Sequence, residues 1–182
     1  MSYLKDEHYI ERVLQGDHSS YAMLVERHKD MVFTLAYRML KNREEAEEVA
    51  QDAFLKAYSS LKKFRKDSRF STWLYRIVYN LSVSRLRKYK KQTQSLDDDQ
   101  RPLDLEDTHQ KMDRLEQDDR RKFIQQALDS LSYDEQTIIT LYYQDDLPVG
   151  EIADITQMTT SNVKVKLHRA RKRLHAQLGD IL

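Results

Sequence analysis

Between residues 70 and 91, Arg76, Asn80, Val83 and Arg87 recur at steps of three and four. That spacing gathers side chains on one face of a helix. The face is cationic and carries an amide able to bond a base edge. Asn80 is expected on the side away from Trp73, and Tyr75 and Tyr79 are expected close to the cationic face. A basic segment, Lys62, Lys63, Phe64, Arg65 and Lys66, leads in. Cations that follow phosphates, interleaved with rings that stack on bases, suit single-stranded nucleic acid. An ordinary core helix with a solvated basic face accounts for the same residues, and this stretch alone leaves both readings open.

Two further constellations carry charge. Glu44, Glu45, Glu48, Gln51 and Asp52 share one face of a predicted helix, opposite its apolar stripe. Paired metal sites on helices use a Glu-x-x-His pattern, which is missing here. The face reads either as solvated or as a dock for a basic partner. Near the C-terminus, Glu151–Ile155, a tight turn at Thr156–Met158 and a helix capped by Thr159 spell a helix-turn-helix. Ile152, Ala153 and Ile155 suit packing of its first helix, Val163 and Leu167 of its second, with Met158 plugging the turn. The second helix presents Thr160, Ser161 and Asn162 in its first turn and Lys164, Lys166, Arg169, Arg171, Lys172 and Arg173 along its body. Polar residues at the N-terminus of a cationic helix match recognition of a major groove. No nucleophile–base pair, phosphate-binding glycine loop or metal spacing occurs, so the expectation is a binding protein without catalysis, metal or cofactor.

These groups need helices to position them. With Gly 3, Pro 2 and 34% charged residues in 182, helices joined by short turns are expected and strands are not. The first predicted helix covers 7–14 with Ile10, Val13 and Leu14 inward. The second covers 19–40 on a stripe of Tyr21, Leu24, Val25, His28, Met31, Val32, Leu35, Ala36 and Met39, with His28 a satisfied edge histidine. Asn42 and Glu45 form a predicted capping box for the third, whose stripe is Ala46, Val49, Ala50, Ala53, Phe54, Ala57 and Tyr58. The fourth buries Phe70, Trp73, Leu74, Ile77, Val78 and Leu81. Residues 93–110 hold dense acidic charge and little that is apolar, the composition of a flexible linker. Helix resumes near Lys111 with Met112, Leu115, Phe123, Ile124, Ala127, Leu128 and Leu131 inward, followed by a second capping box at Ser132–Glu135. Pro148 suits a first helical position. The result is an all-α chain of two small helical domains, 1–92 and 111–182. Cysteine is absent, no apolar run spans a membrane, and no signal-peptide core precedes residue 7, which points to the cytoplasm. The net charge of +1 hides a strong segregation of sign along the chain.

The whole pattern resembles the extracytoplasmic-function (ECF) sigma factors of bacterial RNA polymerase. Residues 46–58, AEEVAQDAFLKAY, resemble that family's region 2.2, and residues 70–80, FSTWLYRIVYN, resemble regions 2.3 and 2.4. Glu151-Ile152-Ala153, with Asn162-Val163-Lys164 and Leu167-His168-Arg169-Ala170-Arg171, resembles region 4.2. The resemblance implies that the first domain is a sigma region 2 bundle and the second a region 4 helix-turn-helix. It implies docking of Glu48, Gln51 and Asp52 on core RNA polymerase. It implies minus-ten contacts by Lys62, Lys63, Phe64, Arg65, Arg69, Tyr75, Arg76, Tyr79, Asn80 and Arg87, with the loop 62–69 capturing a flipped base. It implies minus-thirty-five contacts by Thr160, Ser161, Asn162, Lys164, Lys166, Arg169 and Arg171. The acidic linker would thread towards the RNA exit channel, and an anti-sigma factor would hold the protein in check. Val165, Pro148 and Gly150 depart from the family pattern, and Gln157 stands where this turn often has glycine. A dimeric helix-turn-helix regulator would explain the C-terminal domain but not the basic-aromatic stretch 64–91; an adaptor that binds only proteins would be separated by a salt titration against promoter DNA in the presence of polymerase.

Overall fold

The computed structural model describes residues 5–93, 124 and 126–178. Every regular element among the described residues is helical. Most of the predicted linker and the inward positions Met112, Leu115 and Phe123 lie outside the described residues, whereas Thr93, assigned to the linker, ends a helix. The chain divides into two compact units.

The first unit contains α1 (Asp6–Leu14), α2 (Ser20–Leu40), α3 (Arg43–Ser60), a single 3-10 turn (Leu61–Lys63) and α4 (Phe70–Thr93). α2 is its axis and packs against α1, α3 and α4. The stripe predicted for α2 is observed, with Leu24, Val32, Leu35, Ala36 and Met39 buried. α3 contributes Ala46, Ala53 and Ala57, all fully buried, and such small residues let neighbouring helices approach closely. Truncating a buried leucine such as Leu24 or Leu74 to alanine costs about 2–5 kcal/mol in cores of this kind.

Two local predictions need correcting. Leu14 is 43% exposed, because α1 stops there and Gly16 turns the chain away at φ +102, a value that suits glycine alone. Asp17 then gathers hydrogen bonds from the Ser19 and Ser20 hydroxyls and, with Arg12 at 2.6 Å, its carboxyl is held down at about 2. The capping box at α3 is only half formed. Asn42 accepts the Glu45 N–H at 3.0 Å, but the Glu45 carboxylate takes the Tyr89 hydroxyl of α4.

The largest correction concerns the buried face of α4. Phe70, Leu74 and Val78 are buried as expected, but so are Thr72, Tyr75, Tyr79 and Ser82, whereas Trp73, Ile77 and Leu81 are half-buried. α4 packs against both α2 and α3, so it needs a buried arc wider than one apolar stripe. The two tyrosine rings supply the additional arc.

In the second unit, residues 126–129 are helical, followed by α5 (Tyr133–Tyr143), α6 (Val149–Thr156) and α7 (Thr160–Leu178). The capping box predicted for α5 is complete. The Ser132 hydroxyl accepts the Glu135 N–H, and the Glu135 carboxylate accepts the Ser132 N–H at 3.0 Å. α5 packs on α7, and Ile138, Leu141, Ile152, Ile155, Val163, Leu167 and Ala170 are buried. Ile124, predicted inward, is 44% exposed, while Ala127 and Leu131 are buried. Pro148 precedes α6 as its cap in extended conformation and is not its first helical residue.

Candidate nucleic-acid interface

The turn of the helix-turn-helix shows how local sequence sets the site. Gln157 takes the left-handed conformation, φ +58, that glycine usually supplies, and the Met158 N–H reaches back to Ala153 O at 3.1 Å. That back-bond is the closing bond of a Schellman turn, so the expected geometry is kept without glycine. Thr159 then caps α7, its hydroxyl accepting the Asn162 N–H at 3.2 Å.

On α7 the buried line Val163, Leu167 and Ala170 turns Thr160, Ser161, Asn162, Lys164 and Arg169 outward, and all five are exposed. Arg171 is exposed too, but its guanidinium lies 5.9 Å from the Tyr142 ring centre and 6.0 Å from that of Tyr143. Lys166 needs correcting. It points to α5, pairs with Asp134 at 3.0 Å and is only half-exposed. Nearly two turns further on, Arg173 pairs with buried Glu135 at 2.9 Å. Burial pushes the Glu135 carboxyl up, but the Ser132 hydrogen bonds and the charges of Arg173 and Lys166 outweigh it and hold it below the ordinary 4.5. Two of the cations of α7 therefore fasten the helix to its own domain. His168 and Lys172 share the outward face and were not among the predicted contacts. Their position opposite Val163 and Leu167 was the available signal.

In the first unit the exposed side of α4 contains part of the line read from the spacing, together with Ser84 and Lys88. Arg76 and Arg87 are exposed, with Asn80 and Val83 half-buried between them. Asn80 does not face away from Trp73. Seven residues is nearly two full turns, so both share one edge of the line. Tyr75 and Tyr79 are corrected as well: at 4% and 6% exposure they are core, and neither offers a ring face to a base in this conformation.

The basic segment is held at both ends by aromatic packing. Phe64 lies 5.1 Å from Trp73 and 5.9 Å from Phe70, and Phe70 meets His28 edge-on at 5.4 Å. Phe64 is thus a half-buried anchor and not a free stacking ring. Lys62 and Lys63 on the 3-10 turn, and Arg65, Lys66, Asp67, Ser68 and Arg69 in the loop, are exposed. His28 is the satisfied edge histidine expected, with its Nε2 2.8 Å from Asp6 Oδ2.

Glu48, Gln51 and Asp52 lie exposed on α3. Glu48 already accepts a hydrogen bond from Arg85 of α4 at 2.7 Å. Leu55, three residues beyond Asp52 and off the buried alanine stripe, is 68% exposed and was missed. An aliphatic residue placed off the apolar stripe of an otherwise charged face was its signal.

The residue ranges that carry the cationic edge of the helical bundle and the outward helix of the helix-turn-helix match known proteins. Residues 24–92 match the family Sigma-70 region 2, and residues 121–174 match Sigma-70, region 4. The ECF RNA polymerase sigma factor SigW of Bacillus subtilis (strain 168) is 36% identical over 180 residues, which is 94% of this chain and 96% of that protein. The ECF RNA polymerase sigma-E factor of Escherichia coli (strain K12) is 31% identical, over 98% of this chain and 97% of that one. In fold, the chain is similar to the sigma factor RpoE solved with the anti-sigma factor NepR from Bartonella quintana, at a TM-score of 0.73 and 21% identity over 89% of this chain and 98% of that one. CnrH, solved with the cytosolic domain of CnrY, gives 0.68 at 21% identity over 97% and 99%. The chain belongs to the ECF sigma factors. It is an alternative sigma factor, and no helix among its described residues is long and apolar enough to cross a membrane.

Proposed function

We propose that this sigma factor recruits bacterial core RNA polymerase in the cytoplasm, directs it to its promoters and opens them by binding alone. Residues 1–92 would bind polymerase and the minus-ten element, 111–182 the minus-thirty-five element, with 93–110 linking them. The observation that carries this reading is the pair of differently built cationic surfaces in one chain, each within a matched sigma region. Glu48, Gln51 and Asp52, with Leu55 beside them, form the face offered to polymerase. The loop around Arg65 and Arg69, with Lys62 and Lys63, takes a base out of the stack, and Arg76, Asn80 and Arg87 follow the separated strand. Thr160, Ser161, Asn162, Lys164 and Arg169 meet the upstream major groove, with Arg171 at its margin.

Extracting a base costs roughly a few kcal/mol, and a site that holds it returns about 1–3 kcal/mol per base. Upstream duplex contacts fix register and supply affinity but do not open the strands. No bond is made or broken, so the reading needs no catalytic residue and no cofactor. An anti-sigma factor, the partner of RpoE and the class implied by the family, would cover one or both surfaces until release. Run-off transcription with bacterial core polymerase on a pool of promoters tests the reading. Defined transcripts that depend on this protein are expected. Polymerase binding without any promoter-dependent transcript would overturn it.

A further inference from the structure

The loop proposed to capture a base has a third anchor. Between the packed rings of Phe64 and Phe70, Lys66 adopts φ +60, an uncommon conformation for a residue with a side chain. Its ammonium meets Glu11 of α1 at 2.7 Å, although 55 residues separate the two. The Lys66 hydrogen bond and charge lower the Glu11 carboxyl below its ordinary value. α1 also lies against the 3-10 turn that feeds the loop. At its other end, Asp6 bonds His28 at 2.8 Å, and His28 packs edge-on against Phe70, the far anchor. One short helix therefore touches the entry, the middle and, through His28, the exit of this loop.

We propose that Glu11 is a positioning residue for strand capture: by holding Lys66 it fixes the shape in which Arg65 and Arg69 receive the extracted base. The proposal rests on the reading of this loop as the base-capturing element. A loop fixed beforehand loses less conformational freedom on binding, so capture is tighter than for the same loop released. Lys66 acts here through Glu11 and not on a phosphate. This separates the proposal from simple charge attraction, under which removing an acid next to a basic loop would strengthen DNA binding. The pair is exposed, so its influence is modest and fades as salt rises.

The test uses holoenzyme on a promoter identified by run-off transcription, with its single-stranded non-template minus-ten oligonucleotide as the probe of capture and its upstream duplex as control. Glu11→Ala is expected to weaken oligonucleotide binding about two- to fivefold at low salt, with duplex binding and thermal unfolding unchanged. Glu11→Lys is expected to weaken it further, and Glu11→Lys with Lys66→Glu to restore it. Unchanged or tighter binding by Glu11→Ala would overturn the proposal, as would failure of the double reversal to restore binding. Arg65→Ala with Arg69→Ala separates the two levels. If that variant binds the oligonucleotide normally, the reading of the loop itself fails; if it binds poorly while Glu11→Ala does not, only the role of Glu11 fails.

Discussion

α4 and α7 are both long cationic helices, and they are exposed in opposite proportions. α4, 24 residues, is buried through Phe70, Leu74, Tyr75, Val78, Tyr79 and Ser82, and among its described side chains exposes Arg76, Ser84, Arg87, Lys88 and Tyr89, with Asn80 half-buried. α7, 19 residues, buries the line Val163, Leu167 and Ala170 and exposes most of the rest. A helix that enters a major groove must protrude, because the groove surrounds it on several sides. A separated strand is laid along a surface, and for that a ledge on a rigid bundle with a loop beside it suffices. The difference in burial thus supports the proposed division, a separated strand on α4 and a duplex on α7.

The same contrast extends to charge. On α4 the inward cation Arg85 supports the acidic face of α3 through Glu48, so one helix carries the cationic edge and also backs the acidic face. Reversing Glu48 and Asp52 to lysine should abolish stable polymerase binding, a loss on the order of a hundredfold or more when like charges are brought together. Circular dichroism should show the helices kept, since both residues lie off the buried stripe. A folded double variant that still binds polymerase would remove α3 from the account. On α7, Lys164→Ala and Arg169→Ala should each weaken upstream duplex binding and lower the salt slope by about 1 if the contact is to phosphate. Lys166→Ala should leave the slope unchanged, because that cation is already tied to Asp134. Equal slopes for all three variants would erase the distinction between outward and fastening cations.

Smaller effects concern what holds α7 in place. Glu135 has a folded-state pKa below its ordinary 4.5. Its contribution is therefore complete above about 4.5 and is lost as pH falls through the lower folded value. Unfolding of the second unit followed by circular dichroism should show stability dropping across that acid window, and Glu135→Gln should flatten this part of the curve. The smallest effect lies in α6. Gly150 is helical and exposed, and a β-carbon added there meets nothing within 4 Å. Gly150→Ala should stabilise the unit by about 0.5–1 kcal/mol in denaturant unfolding without altering DNA affinity.

Much of the fold was legible because the helices carry regular apolar stripes and strong boundary signals. The line Leu24, Val32, Leu35 and Met39 and the box Ser132–Glu135 are cases where local sequence and tertiary structure agree. What sequence missed arises where one element serves two neighbours. The sequence pattern draws the stripe of α4 through Trp73, Ile77 and Leu81 as well, but two flanking helices widen the buried arc to Tyr75 and Tyr79, whose rings the pattern sets near the cationic face for stacking on bases. Lys166 looked like its neighbours in the basic run, and only the position of Asp134 on α5 distinguishes it. Glu11 and Lys66, 55 residues apart, had no sequence signal at all. The Lys62–Arg69 loop was visible as a basic segment, whereas its anchoring by Phe64 and Phe70 needed the structure.

The central claim is that α4 meets a separated strand and α7 a duplex. Permanganate footprinting of polymerase carrying Asn80→Ala, on one linear promoter and on the same promoter with a premelted bubble, tests it most directly. Asn80 is half-buried at the edge of the exposed line, so its truncation should leave the bundle folded. The account predicts reduced strand opening on the linear template with upstream duplex binding intact. Rescue by the bubble would assign Asn80 to opening, and persistent loss would assign it to reading the strand. Opening at the wild-type level on the linear template would contradict the assignment of this face of α4 to the melted minus-ten strand.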